Sequence, residues 1–271
     1  MPELPEVETT RRGLAPLVRG RVVDRVTVRR RQLRWPIAPE LAGRTGRVVR
    51  AIERRAKWLL WRFDDGSLLW HLGMSGSFRG WSNPPEPDAH DHVDLVLDDG
   101  RTIRFSDPRR FGAVLWQPGP DPLAHPRLAA LGPEPLGPDF DGDWLWRASR
   151  GRRPAVKSFI MDAGIVVGVG NIYAAEALFA AGIHPRRAAG RISRRRYAAL
   201  AGAIRDTLHR ALEVGGTSLR DFTVGDGTPG YFGQELRVYG RAGQPCTACG
   251  TPLKSAVIGQ RSTVWCPRCQ R

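Results

Sequence analysis

The sequence predicts an α+β protein: a β-rich half opened by one helix, a helical half, and a small hairpin that carries every cysteine. Three observations point there. Short β-branched and aromatic runs separated by Asp-Asp-Gly turns fill residues 22–116. Apolar residues at helical spacing dominate from 154 to 214. All four cysteines fall in one stretch, 246–269, as two Cys-x2-Cys pairs. A chain of 271 residues can build two modest domains, each with its own core.

The opening "MPELPEVETTRRGL" reads as a helix over 3–19. Pro5 suits a first turn, Glu3, Glu6 and Glu8 suit its positive end, and Val7, Leu14 and Leu17 form an apolar stripe. Strands are expected at 22–28, 48–53, 58–63, 67–72, 93–97, 102–105 and 113–116, with "DDG" hairpin turns at 64–66 and 98–100. Their spacing suggests a β-sandwich or barrel. From 117 to 143 Pro, Gly and Asp dominate, a linker-like composition. Helices are then expected at 154–163, 171–181, 193–214 and 218–221. The division that follows is an N-terminal β-sandwich domain at 1–130, an interdomain linker at 131–150, a helical domain at 151–236 and a cysteine-bearing hairpin at 237–271.

Charge narrows the function classes. The formal net charge is +15 and the pI is about 11.0, a field that attracts polyanions, nucleic acid foremost. Mean hydropathy is −0.34. The longest apolar stretch, 159–183, is interrupted by Asp162, Asn171 and Glu176, so no membrane span is expected. No leader is visible at the start, so a bacterial cytoplasmic location is expected. The 42 basic residues divide into 39 Arg and only three Lys: Lys57, Lys157 and Lys254. Arginine does not release its proton and a desolvated lysine does, so a position that keeps lysine can serve proton transfer. Chance survival is the plainer reading.

Cys246, Cys249, Cys266 and Cys269 follow C-x2-C-x16-C-x2-C, the spacing of a closed tetrahedral zinc site. With no ligand position left open, one zinc ion there is structural. Strands "LKSAVI" and "STVWC" join through Gly259, Gln260 and Arg261, which puts Arg261 at a rigid hairpin tip that can probe a nucleic-acid groove. Upstream, "GIVVGVGNIYAAEALF" passes through a glycine turn into a helix, with Asn171 as its expected N-cap. It lacks the third glycine of a dinucleotide fingerprint and the Lys-Ser/Thr of a phosphate loop, so it reads as a helix start that can hold one phosphate.

Pro2 allows two readings. It is part of a helix start, or, once Met1 is removed, a secondary amine with a pKa of about 8. Such an amine can attack an electrophilic sugar carbon, with Glu3 beside it as general acid. These residues alone favour the helix start.

Read as a set, "MPELPEVETTRRGL", "RRAKWLL", "HLGMSGSF", "HDHVDL", "DPRRFG", "GVGNIYAAEALFAAGIHP", "GTSLRDF" and "GYFGQELRVYGR", followed by the cysteine hairpin, closely resemble the formamidopyrimidine-DNA glycosylases over essentially the whole chain. The resemblance implies a helix–two-turn–helix DNA-binding domain and a zinc-finger hairpin. It also implies excision of oxidised purines from damaged double-stranded DNA by a monomer at the nucleoid. It places the nucleophile at Pro2, the general acid at Glu3, a second acid at Glu6, a lysine of the elimination steps at Lys57 and the hairpin arginine at Arg261. DNA contacts fall on His71, His90, Arg152, Lys157 and Asn171, and a three-residue wedge on Met74, Arg109 and Phe111. The stretch 217–239 corresponds to a loop over the everted base. Without the resemblance, Met74 reads as core, "DPRRFG" as a hairpin turn, and the "HDHVDL" residues as a polar strand face. An endonuclease VIII-like enzyme for oxidised pyrimidines, a non-catalytic zinc-ribbon DNA-binding protein and an RNA-binding protein stay open as alternatives.

Overall fold

The structure, a computed structural model, describes residues 2–215 and 236–271. The helix expected at 218–221 and most of the loop expected over 217–239 lie outside them. The described residues form two units, one up to Ala129 and one made of Ala130–Val214 with 236–271.

The first unit opens with α1 (Leu4–Val18), which buries Leu4, Val7, Leu14 and Val18. Eight strands follow: β1 (Val23–Val28), β2 (Ala51–Arg55), β3 (Trp58–Phe63), β4 (Gly66–His71), β5 (Ser77–Trp81), β6 (Asp91–Leu97), β7 (Thr102–Ser106) and β8 (Ala113–Pro118). They make two antiparallel four-stranded sheets, β1-β6-β7-β5 and β2-β3-β4-β8. This is the sandwich alternative of the sequence reading. Trp61 and Trp70 meet Phe78 and Phe105 with ring centroids 5.0 to 6.1 Å apart. Truncating one such ring to Ala costs about 3–5 kcal/mol.

The sequence pattern does not announce strand β5. Among the described residues it is an edge strand paired only with β7, and Gly80 interrupts its pattern. The glycine has a packing reason: a Cβ there would lie 3.1 Å from Leu17 Cδ1 of α1.

A single helical turn, Pro126–Ala129, closes the first unit. The second unit contains α2 (Gly142–Ser149), α3 (Val156–Ile160), α4 (Asn171–Ala180) and α5 (Arg194–Glu213). Helix α2 falls inside the 131–150 stretch read as linker. Its Asp141 cap accepts from Trp144 N at 2.6 Å, and Leu145 is fully buried. Gly142 lets it approach α5 closely, since a Cβ would come within 2.4 Å of Ala198 Cα. The hairpin strands β9 (Lys254–Ile258) and β10 (Arg261–Trp265) pack on α4 through Phe179, Val238, Leu253 and Val264. The finger and the helices therefore share one unit.

Candidate active site and nucleic-acid interface

Helix α1 starts as a reciprocal acid pair. The Glu3 backbone N–H donates to Glu6 Oε2 at 2.9 Å, half of the capping-box arrangement. Glu3 and Glu6 are 1% and 7% exposed, while Pro2 is only partly covered. The backbone next to Pro2 is thus pinned, with a buried carboxyl one residue away. Glu8 extends the frame: its carboxylate accepts from Arg54 Nε at 3.2 Å, and Arg54 also donates to the Ala56 carbonyl at 2.9 Å. This ties the first half of α1 to the two-residue turn that carries Lys57. Sequence reading singles out neither Glu8 in this role nor Arg54, because an acid and a base 46 residues apart leave no local signal.

Lys57 precedes Trp58, which pairs with His71 in the β3–β4 ladder, and the two rings meet edge to face at 4.9 Å. Lys57 and His71 therefore occupy one end of the sheet. His71 Nδ1 accepts from Gly73 N at 3.0 Å, leaving Nε2 as the donor of the neutral ring. Burial, with Lys57 and Arg34 nearby, pushes its pKa down to about 4. It is neutral at physiological pH and suits a hydrogen bond to a phosphate oxygen.

Beyond β4 the three expected wedge residues come together. Arg109 stacks its guanidinium over the Phe111 ring at 4.9 Å, and Phe111 is 42% exposed. Met74 lies in the neighbouring turn, closed by Gly76 N donating to the Leu72 carbonyl at 2.7 Å. Gly73 (φ +64°) is required here, because a Cβ would fall 2.3 Å from the Phe111 carbonyl carbon. An exposed aromatic ring under a guanidinium is a poor core element and a good insert for a base stack.

The "HDHVDL" residues do separate things. Asp94 pairs with Arg29 and with Arg104, the latter at 2.8 Å. His92 is buried and its Nε2 donates to the Asp107 carbonyl at 2.9 Å. His90 is exposed and lines an open cavity with Arg30 and Arg110, a setting that suits a phosphate.

In the second unit Arg152 is exposed. Asn171 is the first residue of α4, with Gly170 in the cap position that Asn171 was expected to fill. Its side chain is engaged elsewhere: Oδ1 accepts from Lys157 Nζ at 2.6 Å and Nδ2 donates to the Ser262 carbonyl at 3.1 Å. Lys157 also donates to Thr263 Oγ1 at 2.7 Å and to the Ser262 carbonyl at 3.3 Å, and is 1% exposed. It braces α4 against β10 rather than projecting as the phosphate contact the resemblance implies. Arg261 pairs with Ile258 as the first residue of β10, so Gly259 and Gln260 form the tip and Arg261 stands at its root. Both tip residues have left-handed backbones (φ +54° and +60°), the signature of a type I′ turn. Arg261 is exposed, and its guanidinium makes no hydrogen bond among the described residues. Sequence reading also misses Glu176, whose buried carboxylate accepts the N–H groups of Arg237, Val238 and Tyr239 at 2.8 to 3.0 Å.

The sulfurs of Cys246, Cys249, Cys266 and Cys269 lie within 4.8 Å of one another. Pairs at 3.9 and 3.5 Å match the roughly 3.8 Å between sulfurs at tetrahedral Zn–S distances of about 2.3 Å. The hydrogen bond with Cys249 and burial push Cys269 up to about 12, while hydrogen bonds from Thr251 bring Cys249 down to about 6. The donor set fits one structural zinc, whose binding displaces the remaining thiol protons.

A pinned chain start beside a buried carboxyl, a stacked Arg–Phe insert and an arginine on a thiolate-held hairpin define a zinc-ribbon enzyme that works on nucleic acid. Residues 1–114 match the formamidopyrimidine-DNA glycosylase N-terminal domain, 131–223 its H2TH domain and 243–271 the zinc finger found in FPG and IleRS. Formamidopyrimidine-DNA glycosylase of Stutzerimonas stutzeri is 60% identical over 272 residues, covering 100% of both chains. That of Marinobacter nauticus is 58% identical with the same coverage. The crystal structure of the MutM (Fpg) protein from Thermus thermophilus matches with a TM-score of 0.87 at 40% identity, covering 99% of this chain and 98% of that one. Lactococcus lactis Fpg in complex with abasic-site DNA matches with a TM-score of 0.90 at 30% identity, covering 99% of both. The chain belongs to the formamidopyrimidine-DNA glycosylase family.

Proposed function

We propose that the protein removes oxidised purines from duplex DNA and then cleaves the strand, with Pro2 as nucleophile. Loss of Met1 leaves a secondary amine. Its nitrogen bonds to C1′ of the everted nucleotide as the glycosidic bond breaks, and the departing base takes up the proton that the amine gives up. Glu3 donates a proton to the ring oxygen, the sugar opens and an iminium forms. The iminium acidifies C2′; loss of that proton expels the 3′ phosphate, and a second elimination expels the 5′ phosphate. Lys57 serves the eliminations, and Arg261 holds a backbone phosphate. His71, His90, Arg152 and Asn171 contact the backbone, while Met74, Arg109 and Phe111 fill the vacated stack. The zinc ion holds the hairpin and takes no part in bond making. A charge of +15 favours residence on bacterial chromosomal DNA. Each chain carries the full residue set, which supports a monomer.

The observation that carries this reading is the pinned start of α1, where Glu6 holds the Glu3 N–H and a buried carboxyl adjoins Pro2. Borohydride reduction during turnover of an 8-oxoguanine duplex is expected to trap a covalent adduct, with peptide mapping placing the sugar remnant on residue 2. A remnant on any other residue overturns the assignment.

A further inference from the structure

The three insert residues come from two separate loops, 72–76 and 107–112. Neither loop is long enough to fold by itself, and each carries a residue with an unusual backbone: Gly73 at φ +64° and Arg110 at φ +55°. One buried residue joins them. Asp107 is 0% exposed. Its Oδ1 accepts the Ser75 hydroxyl proton at 2.6 Å, and its Oδ2 accepts the Gly112 N–H at 2.7 Å. Its carbonyl accepts from His92 Nε2 at 2.9 Å, and its N–H donates to the His90 carbonyl at 3.0 Å. Ser75 completes the circuit, because its Oγ accepts the Arg109 N–H at 3.0 Å. Gly112 has no room for a side chain: a Cβ would sit 2.9 Å from Asp107 Oδ2.

Met74 thus neighbours Ser75 in the chain. Arg109 is bonded to Ser75 through its backbone, and Phe111 precedes the Gly112 that Asp107 holds. Every insert residue lies within one hydrogen bond and one residue of the Asp107–Ser75 pair. We propose that Asp107 and Ser75 are positioning residues that lock the two loops into one rigid insert, and that they act on the opening of the base stack rather than on the chemistry at the sugar. The hydrogen bonds of the pair run to Arg109, Arg110, Gly112, His90 and His92, and none of them reaches Pro2. Its contribution is to hold Met74, Arg109 and Phe111 in register before DNA arrives, so that the order is not created at the expense of binding. This rests on the glycosylase reading above.

The test uses full-length protein carrying Ser75→Ala and, as the conservative control, Ser75→Thr. Three measurements are made: single-turnover excision from an 8-oxoguanine duplex, fluorescence of a 2-aminopurine placed beside the lesion, and cleavage of a preformed abasic site in a single strand, which has no stack to invade. Ser75→Ala removes one partly buried hydroxyl and the two hydrogen bonds it makes, and is expected to slow both duplex excision and the fluorescence rise about tenfold, a loss on the scale of those bonds. Single-strand cleavage should stay within about twofold, since loss of the hydroxyl leaves the sugar chemistry intact. Ser75→Thr should restore the duplex rate. Equal slowing on both substrates, or no slowing of stack opening, overturns the proposal. Wild-type protein that leaves the duplex uncut but still cleaves the abasic strand sinks the glycosylase reading, and the insert with it.

Discussion

His71 shows how one side chain links fold and pH. An imidazole in the unfolded chain protonates near 6.5, and in the fold at about 4, because burial, Lys57 and Arg34 all oppose its charge. Between these values the unfolded state binds more protons. The stability that neutral His71 contributes is complete above 6.5 and drains as pH falls towards 4. His71→Asn keeps an acceptor for the Gly73 N–H and removes the titration. It is expected to shrink the difference in unfolding free energy between pH 7 and pH 4.5 by roughly 2 kcal/mol, measured by urea denaturation. An unchanged difference would mean that the ring titrates normally. The sequence points to His71 only through its motif. Its partners Gly73 and Trp58 are a turn and a strand pairing, which local patterns do not display.

Between elements, Lys157 is the tie that matters most. Its ammonium joins the start of α4 to β10, the strand that begins with Arg261. Replacing it with Met strands buried acceptors and is expected to cost the second unit roughly 1–3 kcal/mol. DNA affinity should fall with it, yet the slope of log K against log salt should hold its wild-type value, because no phosphate contact is lost. Arg261→Ala should instead reduce that slope by about one. A reduced slope for Lys157→Met, in filter-binding titrations, would return it to the phosphate-contacting group. At this scale the sequence was legible where periodicity was clean: α1, α4, α5, the inner strands and the cysteine hairpin. It was silent on β5, whose Gly80 serves contact with α1, and on α2, where "DGDWLWRAS" hides a capped helix among turn-forming residues. By pattern alone Met74 reads as core and "DPRRFG" as a hairpin turn, since what unites loops 72–76 and 107–112 is the tertiary bond through Asp107.

For the whole molecule, the division into two cores sets what metal removal does. The ribbon shares its apolar contacts with α4, while the β-sandwich builds its core from its own strands and α1. Structural zinc sites contribute on the order of 10 kcal/mol to the fold they hold. Cys266→Ser, or chelation, is therefore expected to lower the melting transition of the helical unit and weaken DNA binding at least tenfold, while the sandwich transition stays in place. Calorimetry with a zinc assay checks this; a parallel fall of both transitions would mean the cores are not independent. The broad outline, sandwich then helices then finger, was readable from turn spacing and cysteine arithmetic. That the finger belongs to the helical unit was not, because the shared residues Phe179 and Val238 stand far apart in the chain.

The Ile258–Arg261 pairing has a last consequence, one of parity. Side chains on a strand alternate between faces, so the length of the loop decides which way Arg261 looks. Adding a single residue between Gly259 and Gln260 shifts the ladder by an odd step and turns the guanidinium to the opposite surface, whereas a pair of added residues leaves its facing intact and merely lengthens the reach. Evolution can stretch this finger in even increments without blinding it.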